Sequence, residues 1–171
     1  LAVAMLAPGS YTAQVTGAND TTGLALVEVY EVGATSGRLI NLSTRAQVGT
    51  GASVMISGAV LSSGSGTRRL LVRAAGPALG AFGLPGTPAD PAIAVTDATG
   101  TATIATNNDW GTPGDSGAAT SALLANAFTL AGAFPFPENS RDAALLGEFG
   151  SGSYTIQVSG SGNTSGIALV E

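Results

Sequence analysis

Apolar and polar residues alternate in short runs along most of this chain, as in Tyr154-Thr-Ile-Gln-Val, which predicts half-buried strands with Tyr154, Ile156 and Val158 inward and Thr155 and Gln157 outward. Runs of this kind span Arg38 to Val48, Ser53 to Leu61, Thr67 to Ala75, Ala92 to Thr96, Thr101 to Thr106 and Asp142 to Phe149. Gly- and Ser-rich pieces such as Val48-Gly-Thr-Gly and Ser62-Ser-Gly-Ser-Gly separate them and supply the positive-φ positions of tight turns. One stretch has helical spacing: Ala118 to Phe128 sets Ala119, Leu123 and Ala127 on one stripe, which predicts a short helix over an open end of the strands. Pro77 to Phe82 reads as a further helical turn. The expected fold is all-β: a two-sheet antiparallel β-sandwich, jelly-roll or Ig-like, with roughly eight strands and one or two short helices.

The two ends of the chain carry the same segment. Gly9 to Glu28 (GSYTAQVTGANDTTGLALVE) overlays Gly152 to Glu171 (GSYTIQVSGSGNTSGIALVE) without a gap, and 13 of 20 positions are identical. Each copy reads as a β-hairpin, two strands around a polar turn. The offset of 143 residues is the length of a domain, far beyond that of a solenoid unit. Residues 38–171 are therefore expected to form a β-sandwich domain, and residues 1–31 to be the closing hairpin of a preceding repeat or a strand-exchanged segment. An isolated hairpin with unpaired edges is an aggregation hazard, so residues 1–31 call for completion by other protein.

Composition narrows the chemistry. All six basic residues are arginine, and the chain has no histidine, lysine or cysteine. This excludes Ser-His and Cys-His nucleophiles, an imidazole base, a Walker-type phosphate loop, a Schiff base and an ordinary zinc or copper site. No enzymatic activity is expected. A net charge of −5 disfavours nucleic acid and anionic membrane as partners. No apolar run approaches the roughly 18 residues of a membrane span, so no membrane insertion is expected. The opening Leu1-Ala-Val-Ala-Met-Leu-Ala7 resembles the tail of a signal peptide without a basic start; the alternative is a piece of a longer chain.

Several runs together carry a resemblance: Arg69-Leu-Leu-Val-Arg-Ala-Ala-Gly-Pro-Ala-Leu79, Phe82-Gly-Leu-Pro-Gly86, Ala89-Asp-Pro91, Ile104-Ala-Thr-Asn-Asn-Asp-Trp110 and the closing Gly-Ser-Tyr-Thr…Gly-Ile-Ala-Leu-Val-Glu. The chain resembles a β-sandwich domain that occurs in tandem in large secreted bacterial surface proteins, and its second half is similar to pre-peptidase C-terminal domains. That resemblance implies a non-catalytic sandwich in an extracellular or cell-surface setting.

Candidate sites are few. Gly114-Asp-Ser-Gly-Ala118 reproduces protease tetrads, but the first version needs a histidine and the second an apolar strand before the aspartate; Asp115 or Ser116 is better read as the cap of the following helix. Asn107, Asn108, Asp109 and Asp115 form the densest group of hard oxygen ligands, and Asn107, Asp109 and Asp115 are the candidate calcium ligands. The competing reading is a set of Asx turns anchored through Trp110. Arg69 and Arg73 share one face of a strand and Arg68 the other, either as a basic stripe toward an acidic neighbour or as a solvated face paired with carboxylates. Tyr11 and Tyr154 are expected as core or tyrosine-corner residues. Asn19, Asn41 and Asn163 begin Asn-x-Ser/Thr tripeptides, two of them in the equivalent turns.

Two functions compete. One is a structural repeat or subunit of an extracellular bacterial fibre or surface layer, whose partners are copies of itself in head-to-tail homopolymers or tandem repeats joined by β-strand contacts. The other is a carbohydrate- or calcium-dependent adhesive module of a larger secreted protein. The first needs matching ends, which the sequence has; the second needs a concentrated aromatic or acidic site.

Overall fold

A computed structural model describes residues 4–32, 37–62, 66–112 and 119–171. The chain divides into two units, Leu1–Ile40 and Asn41–Glu171.

The larger unit is a two-sheet antiparallel β-sandwich. Its strands are β1 (Thr44–Val48), β2 (Met55–Leu61), β3 (Arg68–Ala75), β4 (Pro91–Asp97), β5 (Thr103–Asn107), β6 (Ala143–Phe149), β7 (Gly152–Gly160) and β8 (Gly166–Val170). One sheet has the order β1-β8-β3-β6 and the other β2-β7-β4-β5. Alternation places Val72, Ala74, Ala143, Ala168 and Val170 of the first sheet against Met55, Ile93, Val95, Ile156 and Val158 of the second. Tyr154 is half-buried at the edge of this core, its ring edge-on to Phe149 at 5.1 Å and its hydroxyl donating to the Gly150 carbonyl at 3.0 Å. Thr155 and Gln157 are only half exposed because β7 is an inner strand, flanked by β2 and β4.

Two expected elements differ from the sequence pattern, one in length and one in connection. The strand read over Arg38 to Val48 pairs only from Thr44, because β8 offers partners only for Thr44 through Val48. The closing segment is a correction to the hairpin reading. β7 and β8 belong to opposite sheets, so the turn between them is an arch across the core. It spans the sheet separation because Gly162 (φ 61°) and Asn163 (φ 59°) take left-handed conformations, and because both ends are tied to the body. The Ser161 N–H donates to the Asp90 carbonyl at 2.7 Å and the Ile167 N–H to that of Gly86 at 2.9 Å. Gly166 lies so close to this loop that a Cβ there would run into the Gly86 carbonyl.

The helix α1 (Ser121–Ala131) starts later than the sequence pattern suggests and buries a different stripe. Thr120 is its cap, its hydroxyl accepting from the Leu123 N–H at 3.3 Å; Asp115 and Ser116 lie outside the described residues. Leu124 and Phe128, at i and i+4 on one stripe, are buried, while Leu123 is 54 % exposed. The helix lies over a face of the first sheet, not an open end. Its buried residues pack with Ala75, Ala144, Leu71 and Leu146, whose parity along β3 and β6 is opposite to that of the inter-sheet core.

In the smaller unit, residues 4–32 and 37–40 contain no strand among the described residues, and their apolar side chains are exposed.

Of the connections between consecutive strands, the β4–β5 turn joins neighbours in one sheet, and Asp97 organises it. Its carboxylate accepts from the Thr99 hydroxyl at 2.9 Å and from the Thr101 N–H at 3.0 Å. The Thr99 hydroxyl bond is the main reason the Asp97 carboxyl titrates below its ordinary value of 3.8; slight desolvation opposes it, and the Ala102 and Thr101 N–H bonds add to it. A lowered folded-state pKa stabilises the turn above the unfolded value and is lost as pH falls through the folded value. The Asp97 carboxyl carbon should therefore titrate in an NMR experiment with a midpoint below 3.8, and Thr99→Ala should move it upward. A midpoint that Thr99→Ala leaves unmoved would contradict this account.

Candidate functional site

The most unusual chemistry in the larger unit is a buried cation. Arg73 is 1 % exposed, although it shares a strand face with the solvent-facing Arg69, which pairs with Glu148 at 3.2 Å. The expectation of a solvated arginine face therefore holds for Arg69 and fails for Arg73. The reason is the second layer: α1 and the segment after it cover the far end of that face.

Three rings enclose the guanidinium. Its carbon lies 4.3 Å from the Phe128 centroid, 4.5 Å from Phe134 and 4.1 Å from Phe136, within the range of cation–π attraction. Nη2 donates to the Phe134 carbonyl at 2.7 Å. Nη1 lies 3.2 Å from a Glu171 carboxylate oxygen, close enough for a strong ion pair but out of line for a hydrogen bond, and Nε has no partner. Burial pulls the arginine below its ordinary pKa, while Glu171 and then Asp142 pull it back up. An arginine retains its proton under such a shift at neutral pH, so the site is a fixed positive charge.

The backbone brings Glu171 to this place. The Arg73 N–H donates to the Glu171 carbonyl at 2.9 Å and the Glu171 N–H to the Arg73 carbonyl at 3.0 Å, the closed pair of an antiparallel ladder. Its register continues Ala74 opposite Val170 and Ala75 opposite Leu169. Immediately before β6, Asp142 is fully buried and accepts from the N–H groups of Gly76 at 2.7 Å and Ala78 at 3.1 Å. It thereby satisfies the otherwise orphaned start of the helical turn at Pro77–Phe82.

The loop that carries the candidate calcium ligands anchors β5 to β6 through Asn107. The Asn107 Oδ1 accepts from the Ala144 N–H at 2.9 Å and its Nδ2 donates to the Asp109 carbonyl at 3.1 Å. Asn107 is therefore committed to joining β5 to β6. Asp109 is half-buried and Asn108 exposed, and Asp115 lies outside the described residues. Among the described residues no three Asp or Glu side chains converge. Trp110 is buried: its indole N–H is shared between the Pro137 carbonyl at 3.1 Å and the Ser140 hydroxyl at 3.2 Å, and its ring packs on Phe128 and Phe136. Trp110, Phe128, Phe134 and Phe136 thus form one aromatic cluster, which sequence spacing alone did not connect to Arg73.

Together these features define a β-sandwich with a helix-covered outer face and a cation locked beneath it. Comparisons with protein-family models, with curated proteins and with solved structures gave no match.

Two outcomes test the lock. Trp110→Ala should cost about 3–5 kcal/mol in denaturant unfolding and open residues 107–112 to proteolysis. Arg73→Met and Glu171→Leu should each destabilise by about 3 kcal/mol, while the double variant should cost less than their sum, because it removes the buried charge along with its partner. Additive losses would show that the two side chains are not coupled.

Proposed function

We propose that this chain is a non-enzymatic structural repeat of an extracellular bacterial fibre or surface layer, made of β-sandwich units that join head-to-tail through β-strand contacts. The observation that carries the reading is the duplicated closing segment: Gly9 to Glu28 repeats Gly152 to Glu171 at 13 of 20 positions. A single sandwich uses one such segment, so two of them imply more than one sandwich. The likeness to secreted tandem sandwich domains supports a location outside the cell. A structural role is favoured by the buried polar groups, since Arg73, Asp142 and Trp110 each hold segments of the fold together. Among the described residues no helix is long and apolar enough to cross a membrane.

Low-resolution imaging of the native polypeptide should show a row of similar beads, each the size of one sandwich, and calcium titration and glycan arrays with the 171-residue chain should be silent. A compact single particle with saturable glycan or calcium binding would instead establish the adhesive-module reading.

A further inference from the structure

We propose that residues 9–28 are the closing arch of a second sandwich and dock onto a second copy of the β1–β6 body, with Glu28 supplying the counter-ion to that copy's Arg73. This inference rests on the structural-repeat reading and specifies its joint.

The segment already holds the shape of the arch at its corner. The Thr21 N–H and hydroxyl both donate to the Ala18 carbonyl, at 3.2 and 2.8 Å. In β7–β8 the Thr164 N–H and hydroxyl donate to the Ser161 carbonyl at 3.3 and 3.0 Å. Asn19 and Asp20 take left-handed φ values of 53° and 56°, matching 61° and 59° at Gly162 and Asn163. Glycine, asparagine and aspartate are the residues that tolerate this region, and both copies place only these there, so the repetition reflects a turn encoded locally. The Tyr11 hydroxyl donates four residues back to the Ala7 carbonyl at 2.8 Å, as Tyr154 does to Gly150.

What the segment lacks is a body to close. Tyr11, Val15 and Val27 are 59, 59 and 54 % exposed, whereas Val158 and Val170, the counterparts of the two valines, are 0 and 3 % exposed. The equivalent place on this chain's own body is held by β7 and β8, so the partner is a copy whose arch position is vacant.

Two residues of the segment gain a purpose only in the docked state. Gly23 matches Gly166, where a side chain would strike the Gly86 carbonyl, yet around Gly23 the space is open. A glycine there costs conformational entropy without return unless a loop like Gly86–Pro88 comes to lie against it. Glu28 matches Glu171, the carboxylate beside Arg73, and here accepts a hydrogen bond from the exposed Tyr30 hydroxyl at 2.9 Å. Docked in the β8 register, its backbone would pair with the second copy's Arg73 and its carboxylate would face that guanidinium. The joint then combines apolar burial with one specific charge pair, which fixes register.

The test is a polypeptide in which residues 41–151 directly precede residues 9–171. Its junction reads Phe149-Gly150-Ser151-Gly9-Ser10-Tyr11, reproducing the native approach to β7, and the second sandwich serves as the internal control for folding. Amide exchange at residues 11–15 and 24–28 should slow by at least about 100-fold relative to the 171-residue protein. Glu28→Gln should reverse most of that gain without changing residues 152–170, and Glu171→Gln should do the opposite. Unprotected residues 9–28 beside a protected second arch would overturn the docking, and protection indifferent to Glu28→Gln would overturn the assigned charge pair. Beaded native particles together with an unprotected segment would remove this joint while leaving the structural reading intact; a protected segment in a protein that binds glycan would do the reverse.

Discussion

The positive charge of Arg73 has to be paid for beneath a layer of protein, and most of the larger unit's distinctive architecture follows from that constraint. A guanidinium removed from water needs donors satisfied and charge balanced, or the fold loses several kcal/mol. Here the compensation comes from three places in the chain: rings from α1 and the segment after it, the Phe134 carbonyl, and the Glu171 carboxylate at the end of the β8 ladder. One side chain thereby ties the helical cover, the strand β3 and the closing arch together. Glu171 is 14 % exposed, so the pair sits at the edge of the buried region, where water can still share some of the cost.

The arch explains why the closing segment is both self-contained and incomplete. Its corner is shaped by bonds between neighbouring residues, such as Thr164 to Ser161, while its ends are tied to the body at Asp90 and Gly86. Its strands run in different sheets, so neither can satisfy its partner's edge, and each must find a ladder on the body. A hairpin could survive in part on its own pairing; an arch cannot. This is the physical difference between residues 152–170, which are strands, and residues 9–28, which keep the corner and lose the strands.

Polar groups buried in the sandwich serve segments that lack regular pairing. Asp142 receives the N–H groups of Gly76 and Ala78, Asn107 joins β5 to Ala144, and the Trp110 indole holds the loop before β6. Each occupies a place where the chain leaves a sheet, because backbone groups there have no strand partner and would otherwise be buried unsatisfied. Asn107, one of the candidate ligands, is thus engaged by the scaffold.

Period-two alternation located five strands to within two residues and the end of β1, whose start it set six residues early, because a sheet with one face on a core imposes that pattern on any strand that contributes to it. The duplicated segment and the absence of histidine, lysine and cysteine were equally plain, since they depend on identity alone. Local alternation carries no information about which sheet a strand joins, so the arch read as a hairpin. Nor could it reveal that Arg73, four residues from the exposed Arg69 on one face, lies under phenyl rings of α1 and the segment after it, more than 50 residues away in the chain. The shift of the helical stripe from Leu123 to Leu124 has the same origin. Local sequence sets the spacing of a helix, but the shape of the surface beneath it selects which side chains are buried.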